Sequence, residues 1–197
     1  MRPLTNLNAH EKALEPLLRD KIHYGCGRNI LRGWLNVDGF DESYPDGCID
    51  PKIAGNIFCC DLTAKHPFPP DYFKFGYSED FLEHLDQADS LIFLEEVYRT
   101  FAPGGVVRFS FPGLESVLKK HYQTMDYEVF KLGKKDAYTT WTHKHFYCKD
   151  SINLVAKHMG FRETHFVEYG ISEYPELNKL DTRSEQIGLN LYVELVK

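Results

Sequence analysis

Residues 21–29 read Lys21-Ile22-His23-Tyr24-Gly25-Cys26-Gly27-Arg28-Asn29, and this stretch decides the fold. Lys21 to Tyr24 is a brief strand, and it runs directly into Gly-x-Gly. Glycines at such a point let the backbone turn tightly and approach a ligand where a side chain would collide. Any tight turn out of a strand can use the same residues, so the flanking sequence has to decide. Leu35-Asn36-Val37-Asp38 is a second strand that ends on a carboxylate, and Asn56 to Asp61 is a third that ends the same way. Asp38 can accept from both hydroxyls of a ribose. Asp61 can accept from an adenine amine while Leu62 packs on the ring. Three ligand-facing strand ends in order locate an adenosine moiety at the carboxyl edge of a sheet.

The residues after the glycines disfavour a dinucleotide. The third fingerprint position holds Asn29 or Ile30 and not glycine, and Asp38 follows Gly25 by thirteen residues where about 20 are expected. So little chain leaves no room for a helix whose N-terminus could bind a pyrophosphate. A ligand without phosphates, such as S-adenosylmethionine, fits better.

Further out, elements alternate. Residues 8–19 read as a short lead-in helix with Leu14, Leu17 and Leu18 on one side. Phe73 to Tyr77 is a fourth strand, followed by Ser78-Glu79-Asp80. Asp89 or Ser90 can cap a helix through Thr100, with Leu91, Leu94, Val97, Tyr98 and Phe101 on one face. Ala102-Pro103-Gly104-Gly105 stops that helix and turns the chain, and Val106 to Phe111 is a strand buried on both faces. A helix over Ser151 to Met159 ends at Gly160, before strands at Thr164 to Tyr169 and Leu189 to Val196. Such alternation predicts an α/β fold with a parallel sheet and helices on both sides. Gly133 to Thr142 and Ser172 to Gly188 are long polar segments of the kind that carry substrate contacts.

Bulk properties bound the function. At 197 residues and 43% apolar content the chain suits one domain spanning 1–197. Its net charge is −6 and no Lys/Arg run exceeds two, so a nucleic-acid partner is not expected. Five cysteines (Cys26, Cys48, Cys59, Cys60, Cys148) with no CxxC spacing read as thiols of a reduced protein. No 18-residue apolar run and no leader-like h-region occur, which predicts a cytoplasmic protein without a membrane span.

The order HYGCGRN (23–29), GWLNVD (33–38), CCDLT (59–63), FPPDYFKFGYSEDFLEHL (68–85) and VYRTFAPGGVVRFSFP (97–112) resembles the class I S-adenosylmethionine-dependent methyltransferases. Within that class it is most similar to a methyltransferase type 11-like bacterial group found beside surface-sugar genes. The resemblance covers about residues 21–113 and, more loosely, the tail LYVELVK. It implies a Rossmann-like three-layer sandwich: a seven-stranded, mainly parallel sheet whose last strand is antiparallel. Residues 1–19 would form an N-terminal helix, and 114–150 and 172–188 substrate-side insertions. Gly25, Cys26 and Gly27 would line the methionine and ribose of the cofactor, Asp38 the ribose hydroxyls, Asp61 and Leu62 the adenine edge. Tyr77 and Ser78 would sit near the methionine amino group and the sulfonium. Two departures stand out: His23 replaces a common Asp or Glu two residues before the first glycine, and Lys74 replaces the usual Asp of an F-D pair.

The function implied is methyl transfer to a small acceptor, a hydroxyl of a sugar or nucleotide-sugar, or of a surface-polysaccharide precursor. Two alternatives remain: a non-catalytic cofactor-binding protein, and a nicotinamide oxidoreductase. Transfer from a sulfonium needs alignment and a proton acceptor, most often His. His145 ranks first, because a His before the aromatics Phe146 and Tyr147 leads into the late helix where relatives cover the pocket. His143 ranks second and His84, in Leu82-Glu83-His84-Leu85, third. His10, His66, His158 and His165 read as surface or packing residues. Asp80-x-x-Glu83-His84 also resembles the E-x-x-E-H cluster of plant small-RNA 2′-O-methyltransferases, where a distant His completes a divalent-ion site. His143 or His145 would take that place here. The same L-E-H-L occurs where Glu and His only shape a loop, and the expectation is a site without metal. Arg183 could anchor an acidic acceptor or form a surface salt link.

Overall fold

A computed structural model describes residues 19–39, 57–124 and 126–197. The expected helix over 8–19, together with His10, Cys48 and Asn56, falls outside them, save for Arg19. Seven strands form one sheet: β1 (Lys21–Tyr24), β2 (Leu35–Asp38), β3 (Ile57–Cys59), β4 (Phe73–Glu79), β5 (Phe101–Pro112), β6 (Glu163–Val167) and β7 (Asn190–Val196). Their order is β3-β2-β1-β4-β5-β7-β6. The first five are parallel, and β7 runs antiparallel to both of its neighbours. This is the expected Rossmann-like sheet. Its order reverses between β1 and β4, and a crevice for ligands opens at such a switch point, outside the carboxyl ends of the strands.

Helix α1 (Gln87–Thr100) and α4 (Lys149–Met159) share one apolar core with the sheet. Phe93, Leu94 and Val97 of α1 and Ile152 and Ala156 of α4 meet Tyr24, Val37, Val107, Phe109 and Val193 there. Each fully buried side chain of that size contributes about 1.5–3 kcal/mol. The face of α1 turned inward includes Phe93, while Leu91 and Tyr98 are only partly covered, a rotation of the expected stripe. The helix also starts earlier than expected. Asp86 caps it by accepting from the Asp89 N–H at 3.0 Å. Ser90 cannot serve, because its hydroxyl is buried, donating to the Gln87 carbonyl and bonded to the Tyr147 hydroxyl.

Ala102-Pro103-Gly104-Gly105 does not separate helix from strand. It lies inside β5, where pairing with β4 jumps from Phe73↔Phe101 to Phe75↔Val106. Gly104 has φ +78°, and a Cβ at Gly105 would come within 2.8 Å of the Phe73 carbonyl, so glycines make this bulge possible. α4 stops at Gly160 (φ +104°), as expected.

The 114–150 region is largely helical: α2 (Leu114–His121), α3 (Tyr127–Lys134) and a π turn (Lys135–Thr139). Val117, Ala137 and Phe146 close a small separate core with Leu114, Tyr138 and Leu189. Short 3-10 turns occupy Leu82–His84 and Ser184–Gln186. No disulfide joins the described cysteines, and no helix among the described residues is long and apolar enough to cross a membrane.

Candidate active site

The strand ends named from sequence come together in the expected order. β1 pairs in register with β2 and with β4, which sets Tyr77 and Ser78 beside the turn at Gly25. Both glycines of that turn are left-handed, at φ +58° for Gly25 and +50° for Gly27, but they serve different ends. A Cβ at Gly25 would meet the Phe81 ring at 2.6 Å, so this glycine makes room for the protein's own side chain. A Cβ at Gly27 would meet nothing within 4 Å; it faces open space. The Gly27 N–H donates to the Asp38 carboxylate at 2.5 Å and the Gly39 N–H donates to its other oxygen at 2.8 Å. The Cys60 N–H donates to the Asp38 carbonyl, which draws the Asp61 turn alongside.

Among the described residues no helix interrupts 25–34, so the chain just after the glycines offers no helix N-terminus to this crevice. Asp61 is exposed, and one carboxylate oxygen accepts from the N–H and hydroxyl of Thr63. Leu62 is buried in the main core, which leaves its backbone to meet any ring. Cys26 is buried as well, and burial raises its thiol far above the ordinary range. Tyr77 and Ser78 are buried, the Ser78 hydroxyl without a partner. His23, the departure from the family pattern, is buried against Asn36 Oδ1 (3.3 Å) and beside the Tyr77 ring. Burial lowers it to about 4, so it is a neutral imidazole. Lys74 is exposed and pairs with Asp20.

Beyond the end of β4 lies a second space, a cleft of about 720 Å³. Asp80 (φ +50°) turns the chain sharply, and the 3-10 turn then aims Glu83 and His84 into this cleft. The Glu83 carbonyl accepts from the N–H of Lys144 at 2.8 Å and of His145 at 3.3 Å, and this clasp brings His143 opposite. The His84 and His143 rings stand edge to face with centroids 5.0 Å apart. His143 Nε2 is 4.0 Å from Glu83 Oε1. Glu83 is buried, and burial, reinforced by the nearby Asp80 charge, pushes its carboxyl well above the usual range. Burial lowers both histidines, His143 also through His84.

Of the three histidines named as candidate bases, His84 and His143 line the cleft and His145 does not. The His145 ring instead meets Tyr147 edge-on at 4.4 Å, with Nε2 unpartnered and burial lowering its pKa. His66 is a packing residue, bonded to the Leu62 carbonyl. Arg183 forms the salt link, 2.9 Å from Asp80, at the cleft edge. Trp141, Lys120 and His121, within residues 114–150, were not singled out from sequence, yet all line the cleft.

Sequence reasoning also missed what holds this region in place. Arg108 is fully buried, forks onto Asp181 (3.1 and 2.5 Å), bonds Glu194 (2.8 Å) and donates to the carbonyls of Glu168 and Ile171. Burial would depress the guanidinium; the bonds and charges of Asp181 and Glu194 outweigh it and hold it raised. Glu79 accepts from the N–H and hydroxyl of Thr182. A signal existed: an Arg inside the apolar run of β5, and a Glu placed directly across from it in β7.

No protein-family model matches the chain, and neither does any curated protein. Solved structures do. A methyltransferase dependent on S-adenosylmethionine from Archaeoglobus fulgidus superposes with TM-score 0.60 at 16% identity, over 95% of this chain and 92% of that one. One from Thermotoga maritima gives 0.60 at 16%, over 95% and 87%. Another from Mesorhizobium loti gives 0.55 at 17%, over 95% of each. At such identity the likeness speaks for architecture alone: the chain has the fold of S-adenosylmethionine-dependent methyltransferases.

Proposed function

We propose that the chain transfers a methyl group from S-adenosylmethionine to a hydroxyl of a small acceptor, a sugar or a precursor of a surface polysaccharide. One observation carries this reading. An ordered row of strand ends suited to an adenosine (Gly27, Asp38, Asp61) lies at the switch point, with no helix in residues 25–34 to hold a pyrophosphate, and a separate cleft with histidines adjoins it. The absent helix favours a sulfonium cofactor over a nicotinamide dinucleotide. A cleft of its own for a second ligand favours an enzyme over a protein that only binds the cofactor.

In this reading Asp38 orients the ribose, and the backbone at Gly27 and Leu62 meets the ligand closely. The methyl group passes in line from sulfur to the acceptor oxygen, so the protein's task is alignment and removal of one proton. His84 and His143, kept neutral by burial, stand in the cleft to accept it. The exposed Trp141 gives the cleft an apolar plate of the kind on which a sugar ring packs, which supports the acceptor class.

The test is a melting scan with S-adenosylhomocysteine against NAD. At 100 times its dissociation constant, a ligand bound only to the folded state adds about 2.7 kcal/mol. Asp38→Ala should weaken that response by about tenfold or more in affinity, through loss of charge-assisted bonds of about 1.5–3 kcal/mol. A shift with NAD and none with S-adenosylhomocysteine overturns the reading.

A further inference from the structure

We propose that Glu83, His84 and His143 bind one divalent transition-metal ion in the cleft. One carboxylate oxygen and one nitrogen from each ring lie within 4.8 Å of one another. Atoms that share an ion at about 2.0–2.2 Å stand roughly 3–3.5 Å apart, so side-chain rotation alone closes the group.

An independent observation points to the same ligand. Glu83 is 2% exposed, lines the cleft, and among the described residues neither of its carboxylate oxygens has a hydrogen-bond partner. A buried carboxylate without donors is costly, and buried charges are ordinarily paired or bound to metal. Asp80 shows the contrast: its carboxylate accepts from Asn190 and faces Arg183, so it is already compensated. Glu83 alone of the two calls for a cation. The rings are also prepared. The Thr142 hydroxyl lies 3.4 Å from His84 Nδ1, the type of outer contact that steadies a ligating imidazole. The clasp of Glu83 by residues 144 and 145 holds the two contributing segments at fixed separation.

Two imidazoles and one carboxylate suit manganese, iron, cobalt or zinc better than magnesium or calcium, and the three leave coordination positions open toward the cleft. The ion's chemical role rests on the methyl-transfer reading; its binding does not. There, an acceptor hydroxyl on the ion would ionise more readily. With both rings held on the ion, the hydroxyl proton would leave to solvent rather than to His84 or His143, the oxygen would bond the methyl carbon, and the carbon–sulfur bond would break to release S-adenosylhomocysteine.

The experiment titrates untagged, chelator-treated protein with Co²⁺, read by visible absorbance and calorimetry. One ion per chain is expected. Glu83→Gln should weaken binding more than about tenfold, and His84→Asn/His143→Asn should abolish it, while the exposed His158→Asn leaves it unchanged. The histidines, less buried than Glu83, keep the test open should Glu83→Gln fail to fold. No saturable uptake at millimolar Co²⁺, or uptake unchanged in the double variant, overturns the site. S-adenosylhomocysteine melting shifts on the metal-free protein separate the two readings. A retained shift without Co²⁺ uptake removes the metal site alone. Uptake without a shift removes the transfer reading and leaves the metal site standing.

Discussion

Under α1 the sheet presents Tyr24, Val37, Val107 and Phe109, an apolar surface with several aromatic edges. Alternate residues of the same strands, on the reverse face, are His23, Asn36, Tyr77, Glu79, Arg108 and Glu194, all buried. There, residues 168–183 lie over the strands, with Leu177 fully buried against Val106 and Val196. Apolar burial is non-directional and tolerates substitution. A buried ionic cluster works only while every partner is in place. One face therefore supplies cohesion, and the other dictates where a single segment lies.

Arg108→Met attacks that contrast most severely. It strands Asp181 and Glu194 in the interior and should cost about 3–5 kcal/mol, read as a denaturant midpoint shift. Adding Asp181→Asn and Glu194→Gln should recover part of the loss, because it removes the uncompensated charges. If Arg108→Met unfolds like wild type, the cluster carries no weight. On the opposite face, Phe93→Leu keeps an apolar side chain among Tyr24, Phe81 and Phe109 and should cost at most about 1.5 kcal/mol. A larger loss there than at Arg108 would reverse the assignment of roles.

The smallest effect at neutral pH belongs to His23, and acid brings it out. Its folded value, about 4, lies below the ordinary 6.5 because it is buried. Between those values the unfolded chain holds a proton that the folded chain lacks, so stability is complete above about 6.5 and is lost as pH falls toward 4. His23→Gln should remove a slope of at most about 1.4 kcal/mol per pH unit in that window and leave pH 8 nearly unchanged. Urea unfolding at several pH values checks it; an identical slope in both proteins would mean that His23 is not the group responsible.

Legibility in the sequence obeys the same division. The apolar face was legible because Ile22, Tyr24, Leu35 and Val37 alternate with polar neighbours, and the strand ends at Asp38 and Asp61 could be numbered directly. The reverse face was not. Its pairs join residues 108 with 181 and 79 with 182, which no local period relates. The strand expected to reach Tyr169 stops at Val167 for that reason: the Glu168 carbonyl is taken by Arg108 and the Gly170 N–H by Asp181. In the candidate site, Glu83 and His84 could be named as a motif. That His143, and not His145, faces them depends on the clasp at the Glu83 carbonyl, which is a tertiary fact.

Asp181, Thr182 and Arg183 are consecutive, yet they reach Arg108, Glu79 and Asp80 respectively. The chain is thus stitched at three successive residues, and the register of that stitching admits no slack. Evolution can lengthen or shorten the exposed stretch around Glu173 and Glu176, where side chains bear little. Inserting one residue between Asp181 and Arg183 would carry an anchor off its partner and the cleft rim with it. Length, usually the freest variable of a surface segment, is here a fixed quantity by construction.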